Sequence, residues 1–318
     1  MSADPSPWRR IACLGPAGTF TEEALLGEAD LAGAELLLTP TIETALAAVS
    51  AGEADAAFVP LENSIEGSIS ATVDWLVFGE PLLAQREVVL DVHLQLAGRP
   101  GMSLEDVRTV YSYPPALAQC REFLLQRLPR AEQRAVTSTA EAARLVADEE
   151  DRAAAVAPLA AAKRYGLDVL AAEIEDRSGN QTRFLLVAKE RIPAPTGHDR
   201  TLLVCFQHEN RPGSLLEILA QFAARRLNLT RLVSRPTKQA LGEHCFVIEV
   251  EGHVSDELVG DCLRDLHTSL EGLRFLGSYP VSGAGAEERR AEADERRRAA
   301  AAWLDDLRSR IEVSGEGG

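Results

Sequence analysis

The sequence predicts an α/β protein followed by a smaller sheet-and-helix module, and three observations carry that reading. Short apolar runs alternate with helical patterns from Ile11 to about Lys189. A linker-like stretch, Arg191-Ile-Pro-Ala-Pro-Thr-Gly197, then breaks the rhythm. Beyond it the order becomes strand, helix, strand, strand, helix, strand within residues 200–280, a compact βαββαβ sandwich.

In the first part, Ile11–Leu14, Ala56–Val59, Thr109–Tyr111, Ala153–Ala157 and Phe184–Val187 read as buried strands. Between them lie helix starts with capping-box spacing, Thr19-x-x-Glu22 and Ser138-x-x-Glu141, and a weaker one at Ser103-x-x-Asp106. Strands alternating with helices imply mostly parallel sheets covered on both faces.

In the second part, Thr201–Phe206 reads as a strand and Ser214-x-x-Glu217 as the cap of a helix with Leu215, Ile218, Leu219, Phe222 and Ala223 on one face. Leu229–Ser234 and His244–Val250 read as strands joined through Gly242. A helix from about Ser255 to Thr268 buries Leu258, Val259, Cys262 and Leu266, and a last strand runs near Arg274 to Tyr279. Past the joint Ser282–Gly285, an Ala/Arg/Glu-rich helix carries a thin apolar stripe of Trp303, Leu304, Leu307 and Ile311. Opposite charges three or four apart support it as a mostly solvated helix that docks by its last turns. The expected divisions are thus 1–190, a linker at 191–199, a module at 200–280 and a tail at 281–318.

The chain has 318 residues and a formal net charge of −16, from 33 Lys+Arg against 49 Asp+Glu. That balance argues against nucleic acid, whose binders cluster cations to replace phosphate counterions. No apolar run approaches the ~18 residues of a membrane span, and the first ten residues do not read as a signal peptide. The five cysteines are scattered and never form C-x-x-C, which suits reduced thiols and a cytoplasmic setting. No metal or cofactor is expected.

Candidate chemistry gathers at segments that leave strand ends. Gly15-Pro-Ala-Gly18-Thr19-Phe-Thr21 opens the first helix without the glycine spacing of dinucleotide folds or the Lys of a P-loop. A tight capped turn and a substrate loop describe it equally well. Pro60-Leu-Glu62-Asn63-Ser64-Ile-Glu66 offers neutral donors where an α/β sheet faces its ligand crevice. Ser112 and Gln119 follow another strand. Asn180, Thr182 and Arg183 stand at the mouth of an apolar strand and need partners. Arg183 can clamp a carboxylate or neutralise a nearby acid. No Ser-His-Asp or Cys-His set is evident, so any catalysis rests on hydroxyl and amide donors and on positioning.

Together these segments resemble the prephenate dehydratase family: Gly-Pro-Ala-Gly-Thr-Phe-Thr-Glu at 15–22, Val-Pro-Leu-Glu-Asn-Ser-Ile-Glu-Gly at 59–67 and Asn-Gln-Thr-Arg-Phe at 180–184, in order. Arg-Pro-Gly-Ser-Leu at 211–215, Asn-Leu-Thr at 228–230 and Ser-Arg-Pro at 234–236 are similar to that family's ACT domain. The resemblance implies a bilobed catalytic domain like type II periplasmic binding proteins, crossing back near 176–189, followed by a ferredoxin-like ACT domain. It implies conversion of prephenate to phenylpyruvate, water and carbon dioxide without a cofactor, controlled by L-phenylalanine. Thr182 corresponds to the catalytic threonine, with Asn63, Ser64, Ser112, Gln119, Asn180, Arg183, Gly18 and Thr19 around the substrate. Gly213, Ser214, Leu215, Ser234 and Arg235 correspond to the phenylalanine site, between ACT domains of a homodimer or homotetramer.

Departures are Tyr113-Pro114-Pro115 where the family commonly reads His-Pro-Gln, Ser214 for a usual Ala, and Val233 for a usual Glu. Alternatives to the dehydratase are an arogenate dehydratase and a non-catalytic amino-acid sensor.

Overall fold

The computed structural model describes residues 7–148, 152–238, 242–283 and 286–310. The chain divides into two compact units, Met1–Leu82 with Glu87–Glu190, and Leu83–Arg86 with Arg191–Gly318. The elements begin with β1 (Arg10–Leu14), α1 (Phe20–Leu26), β2 (Glu35–Thr39), α2 (Ile42–Ala51), β3 (Ala56–Asn63), β4 (Gly67–Ser68), α3 (Ser70–Phe78) and β5 (Leu83–Asp91). Then come β6 (Gln95–Gly98), β7 (Thr109–Ser112), α4 (Pro114–Gln119), α5 (Arg121–Arg127), β8 (Glu132–Ala135), α6 (Thr139–Asp148), β9 (Ala153–Ala157), α7 (Leu159–Arg164), β10 (Asp168–Ala171) and β11 (Gln181–Ala188).

One sheet has the order β2-β1-β3-β11-β5, with β4 on β3; the other has β10-β6-β9-β7-β8. The chain therefore leaves the first sheet after β5, builds the second, and returns by β11. That is the bilobed α/β arrangement expected. The sheets are mixed rather than mostly parallel. The pairs β1–β2, β1–β3, β7–β8 and β7–β9 are parallel, while β3–β11, β6–β9 and β6–β10 are antiparallel. Apart from the short antiparallel β3–β4 hairpin, these antiparallel pairs involve strands fed by the crossings between sheets, which need no crossover helix over their own sheet.

Core composition differs between the lobes. In the first, Phe58 of β3 stacks on Phe184 of β11 with ring centroids 5.2 Å apart. In the second, β9 is buried throughout and packs Ala153, Ala155 and Ala157 against Ala140, Ala143 and Val146 of α6 and Ala161 of α7. Small side chains there let helix and sheet approach closely.

Capping follows the sequence only in part. Thr19 Oγ1 accepts from Glu22 N–H at 3.3 Å, but the Glu22 carboxylate reaches back to Gly18 N–H. Ser138 Oγ accepts from Glu141 N–H at 3.0 Å, whereas Glu141 pairs with Arg144. At Ser103 only the reach-back half forms: the Asp106 carboxylate accepts from Ser103 N–H at 3.0 Å and from its hydroxyl at 2.7 Å, on a 3-10 turn and not an α-helix.

The second unit continues with β12 (Asp199–Phe206), α8 (Ser214–Ala224), β13 (Leu229–Pro236), β14 (His244–Glu251), α9 (Glu257–Ser269), β15 (Gly272–Pro280) and α10 (Ala286–Ser309). The sheet order β13-β14-β12-β15 gives the expected ferredoxin-like βαββαβ module, with antiparallel neighbours. Leu203, Cys205, Phe246, Ile248 and Val250 pack against Ile218 and Phe222 of α8 and Cys262 and Leu266 of α9. The stretch before β12 is ordered by contacts: Thr196 and Gly197 donate backbone N–H groups to Asp199, and buried His253 meets the Pro193 carbonyl through Nε2 at 3.0 Å.

Three local expectations fail here. Ser214 is not a cap: Gly213, at φ +92°, starts α8, and Glu217 is held by Arg211. Leu258 is 56 % exposed because it lies off the α9 stripe of Val259, Cys262 and Leu266. Trp303 and Leu307 are 63 % and 39 % exposed, so the last turns of α10 do not dock, and Ile311 lies outside the described residues. No helix among the described residues is long and apolar enough to cross a membrane.

Candidate active site

A cleft of about 420 Å³ in the first unit is lined from both lobes. The β1–α1 loop and α1 supply Leu14, Thr19, Phe20 and Thr21; the end of β3 supplies Pro60, Asn63 and Glu66; β11 and the residue before it supply Asn180, Thr182 and Phe184. The second lobe adds Tyr113, Pro115, Ala116 and Gln119 around α4, and Thr137, Ser138 and Thr139 at the start of α6. Hydroxyls, amides and the Glu66 carboxylate face an otherwise apolar wall. Neither Lys, Arg, His nor Cys is among the described lining residues.

Register explains the display on β3 and β11. Thr182 pairs with Asn63 and Arg183 with Glu62, and a bulge at Leu61 brings Phe184 opposite Pro60. Alternation turns Thr182 and Phe184 of β11 to the cleft and Arg183 away from it. The bulge in β3 lets both Pro60 and Asn63 face inward.

Asn63 is the hub. Its Nδ2 donates to Asn180 Oδ1 at 2.7 Å, to Thr182 Oγ1 at 2.9 Å and to the Gln181 carbonyl at 3.2 Å. Its Oδ1 accepts from Ile65 and Glu66 N–H, each at 3.0 Å. Asn180, only 3 % exposed, donates to Gln119 Oε1 at 2.9 Å, and Gln119 donates to Glu66 Oε1 at 3.2 Å. A chain of amides thus runs from Thr182 in one lobe to Gln119 in the other.

Asn63, Asn180, Thr182 and Gln119 are brought together as the sequence suggests. The other expected members have their polar groups committed within the protein or serve the backbone. Arg183 pairs with Glu62, which is partly exposed, at 3.0 Å and with Glu87, 1 % exposed, at 3.3 Å, so its charge serves carboxylates of the protein itself. Ser112 is fully buried and donates to the Val156 carbonyl at 2.6 Å. Ser64 clamps the strand ends, accepting from Gln181 N–H at 2.9 Å and donating to Asn180 at 3.4 Å. Gly18 makes room: at φ +91°, a Cβ there would lie 3.1 Å from Ala161 Cα. Thr19 lines the cleft, but its hydroxyl is spent on the Leu14 carbonyl and the cap.

The contacts of Thr137, Ser138 and Thr139 with the cleft escaped sequence reasoning. They follow the C-terminal end of a parallel strand, the same position that singled out Asn63. The strand in question, β8, reads Glu-Gln-Arg-Ala and is exposed throughout, so it carries no apolar signature. Also unforeseen is the contact between the β1–α1 loop and α7, where Arg164 meets buried Glu22 at 3.5 Å and Tyr165 donates to the Ala17 carbonyl at 3.2 Å.

The nearby thiols are chemically quiet. Burial, then Glu22, pushes Cys13 up to about 12; burial, then Asp176 and Glu175, pushes Cys120 up as well. Among the described residues no cluster of three His, Cys, Asp or Glu side chains is arranged to hold a metal.

The fold and cleft define a two-lobed α/β protein whose cleft presents hydroxyls and amides, followed in the sequence by a βαββαβ module. Residues 11–192 match the model for prephenate dehydratase and residues 201–268 that for the ACT domain. The chain belongs to the prephenate dehydratase family. It is 42 % identical over 308 residues to the prephenate dehydratase of Mycobacterium marinum, covering 94 % of this chain and 96 % of that protein. The crystal structure of a prephenate dehydratase from Arthrobacter aurescens, in complex with L-Phe, is 39 % identical, with a TM-score of 0.79 over 94 % of this chain and 99 % of its own. A solved structure described as a quorum-quenching acylase, GqqA, is 30 % identical, with a TM-score of 0.78 over 86 % of this chain and 98 % of its own.

Proposed function

We propose that this chain converts prephenate to phenylpyruvate, water and carbon dioxide, with Thr182 as the hydrogen-bond donor to the departing ring hydroxyl. The observation that carries the assignment is the Asn63–Thr182 hydrogen bond in the cleft. Because Thr182 Oγ1 accepts from Asn63, its own proton is aimed away from that amide, free to be donated to a ligand.

In the reaction the bond between the ring and its carboxylate breaks, and its electron pair enters the ring. The C–O bond at the opposite carbon breaks, with its pair going to the leaving oxygen. That oxygen leaves as water, taking one proton supplied in net by solvent. Aromatisation supplies the driving force, so the protein's share is a donor at the leaving oxygen, orientation and a water-poor pocket. Phe20, Ile69, Val92, Leu94 and Phe184 supply the apolar wall. Asn63, Asn180 and Gln119 hold the polar end in register, and Tyr113 lines the same cleft. An acyl-transfer reading, as in the acylase relative, finds no His or Cys among the described lining residues to act as base or thiol nucleophile.

L-phenylalanine is the effector in this reading, bound between ACT domains of a homodimer or homotetramer in the cytoplasm. The L-Phe complex of the Arthrobacter relative supports the effector. Gly213, Ser214 and Leu215 lie at the start of α8 and Ser234 on the edge strand β13. Arg235 follows Ser234 on that strand and faces the opposite side of the sheet, so it does not share Ser234's surface.

The test is phenylpyruvate formation from prephenate by the purified chain and by Thr182→Val, each with and without L-phenylalanine. Turnover that falls by ~10²–10³ in a folded variant supports the donor. Turnover of arogenate in place of prephenate reassigns the substrate. Binding of either without turnover makes the protein a sensor. Calorimetry showing no phenylalanine binding removes the effector.

A further inference from the structure

We propose that Thr139 and Thr21 form the subsite for the side-chain carboxylate that prephenate keeps in the product, and thereby set the direction in which substrate lies in the cleft. This rests on the dehydratase reading. The substrate of that reaction carries two carboxylates, yet among the described residues lining the cleft the only charged side chain is Glu66, which accepts from Gln119, and Arg183 is committed to Glu62 and Glu87. The negative charge must therefore be met by neutral donors.

Two hydroxyls stand ready for that task. Thr139 is 9 % exposed and Thr21 4 % exposed; both line the cleft, and neither side chain has a hydrogen-bond partner among the described residues. Neither oxygen is sealed from the cleft, so each hydroxyl is left to bond whatever occupies it. Thr139 is also the first residue of α6, a ten-residue helix whose Glu141 N–H is capped by Ser138. The remaining N–H groups of that first turn and the helix dipole favour an anion at the same spot. Thr19, by contrast, is already satisfied.

Placement in the sheet supplies the direction. Thr137 and Ser138 also line a recess with Gly15, Leu38 and Thr39, which puts the start of α6 opposite the ends of β1 and β2. Thr182 stands on β11, two strands from β1 in the order β2-β1-β3-β11-β5. Two strand spacings are about 10 Å, a span suited to a ring with its hydroxyl at one end and its keto-acid side chain at the other. The hydroxyl end therefore lies at Thr182 and the retained carboxylate at Thr139 and Thr21. The ring carboxylate, which must shed its charge as carbon dioxide, is left to the apolar wall.

The experiment measures prephenate kinetics of the full chain as wild type, Thr139→Val, Thr139→Ser and Thr21→Val, with phenylpyruvate as inhibitor. Each valine variant should raise KM by about ten- to a hundredfold, the size of a lost hydrogen bond to a charged group, with kcat within about threefold. Thr139→Ser should restore KM. Inhibition by phenylpyruvate, which keeps the side-chain carboxylate, should weaken in parallel. Folded valine variants with unchanged KM would overturn the subsite. A raised KM with undiminished phenylpyruvate inhibition would also overturn it, by assigning the hydroxyls to the ring carboxylate. If the wild type fails to turn over prephenate, the dehydratase reading falls. The subsite is then judged by calorimetry with phenylpyruvate, where equal affinity for wild type and Thr139→Val refutes it.

Discussion

Asn63 Nδ2 lies 2.9 Å from Thr182 Oγ1 across the β3–β11 pair, and the same nitrogen lies 2.7 Å from Asn180 Oδ1. The amide therefore fixes both where the threonine oxygen sits and which way its proton points. A hydroxyl that accepts one hydrogen bond also donates a stronger one.

Asn63→Asp should cost more than the loss of one contact. The carboxylate presents an acceptor to Thr182 Oγ1, so the hydroxyl turns its proton toward residue 63 and away from the substrate. It also sets two acceptors against each other at Asn180. Turnover should fall by ~10² or more with a smaller change in KM. Steady-state kinetics of a variant whose circular dichroism matches wild type check this; kcat within threefold would mean that the amide does not orient the donor.

Arg183 is expected to govern stability more than affinity. Its guanidinium lies 3.3 Å from Glu87, which is 1 % exposed, so Arg183→Ala takes the cation from beside a buried carboxylate. The cost should be about 3 kcal/mol of unfolding free energy, with KM changed little in protein kept folded at low temperature. Denaturant unfolding and kinetics together decide. A large rise in KM at unaltered stability would return Arg183 to the substrate site.

Most of the fold was legible because its signals are local. Apolar runs such as Ala153–Ala157 and the β/α spacing of residues 200–280 specify elements without help from distant residues. The site was legible where strand ends announce it, at Asn63 and Thr182. It was hidden where orientation depends on register: nothing in Thr182-Arg183 says which side chain faces the ligand until β11 is paired with β3 and the bulge at Leu61 is known. Ser112 illustrates the same limit, since its partner, the Val156 carbonyl, is 44 residues away in sequence. The polar strand β8 concealed the start of α6 and with it Thr139.

The crossing segments carry a pH-dependent tie. His93, between β5 and β6, meets Glu175, before β11, at 3.0 Å, and Glu175 also accepts from Leu94 N–H at 2.9 Å. The hydrogen bond to Glu175 is the largest cause raising the His93 pKa; its modest burial opposes it, and the Glu175, Glu173 and Asp91 charges add to the rise. A raised folded-state value means the contribution is fully present below the ordinary imidazole pKa and is lost as pH rises through the raised one. The imidazole is half exposed, so solvent screening keeps the effect within ~1 kcal/mol. Thermal melts of wild type and His93→Gln across that range should converge at the alkaline end; a constant gap would show that the tie is not ionic.

Gly18 offers the last test, of contact between the lobes rather than of chemistry. Its φ of +91° lies in the region side-chain-bearing residues avoid, and a Cβ would stand 3.1 Å from Ala161 Cα and 3.2 Å from Ala161 Cβ on α7. Gly18 also donates its N–H to Glu22, which meets Arg164 of α7 at 3.5 Å. Gly18→Ala therefore combines backbone strain with a push against the facing helix, and should cost about 1–3 kcal/mol of stability. The push is directed at the seam beside the cleft, so KM for prephenate should rise as well. A variant that melts early but binds normally would confine the effect to the turn. One that is both as stable and as active as wild type would show that the loop and α7 can part without consequence.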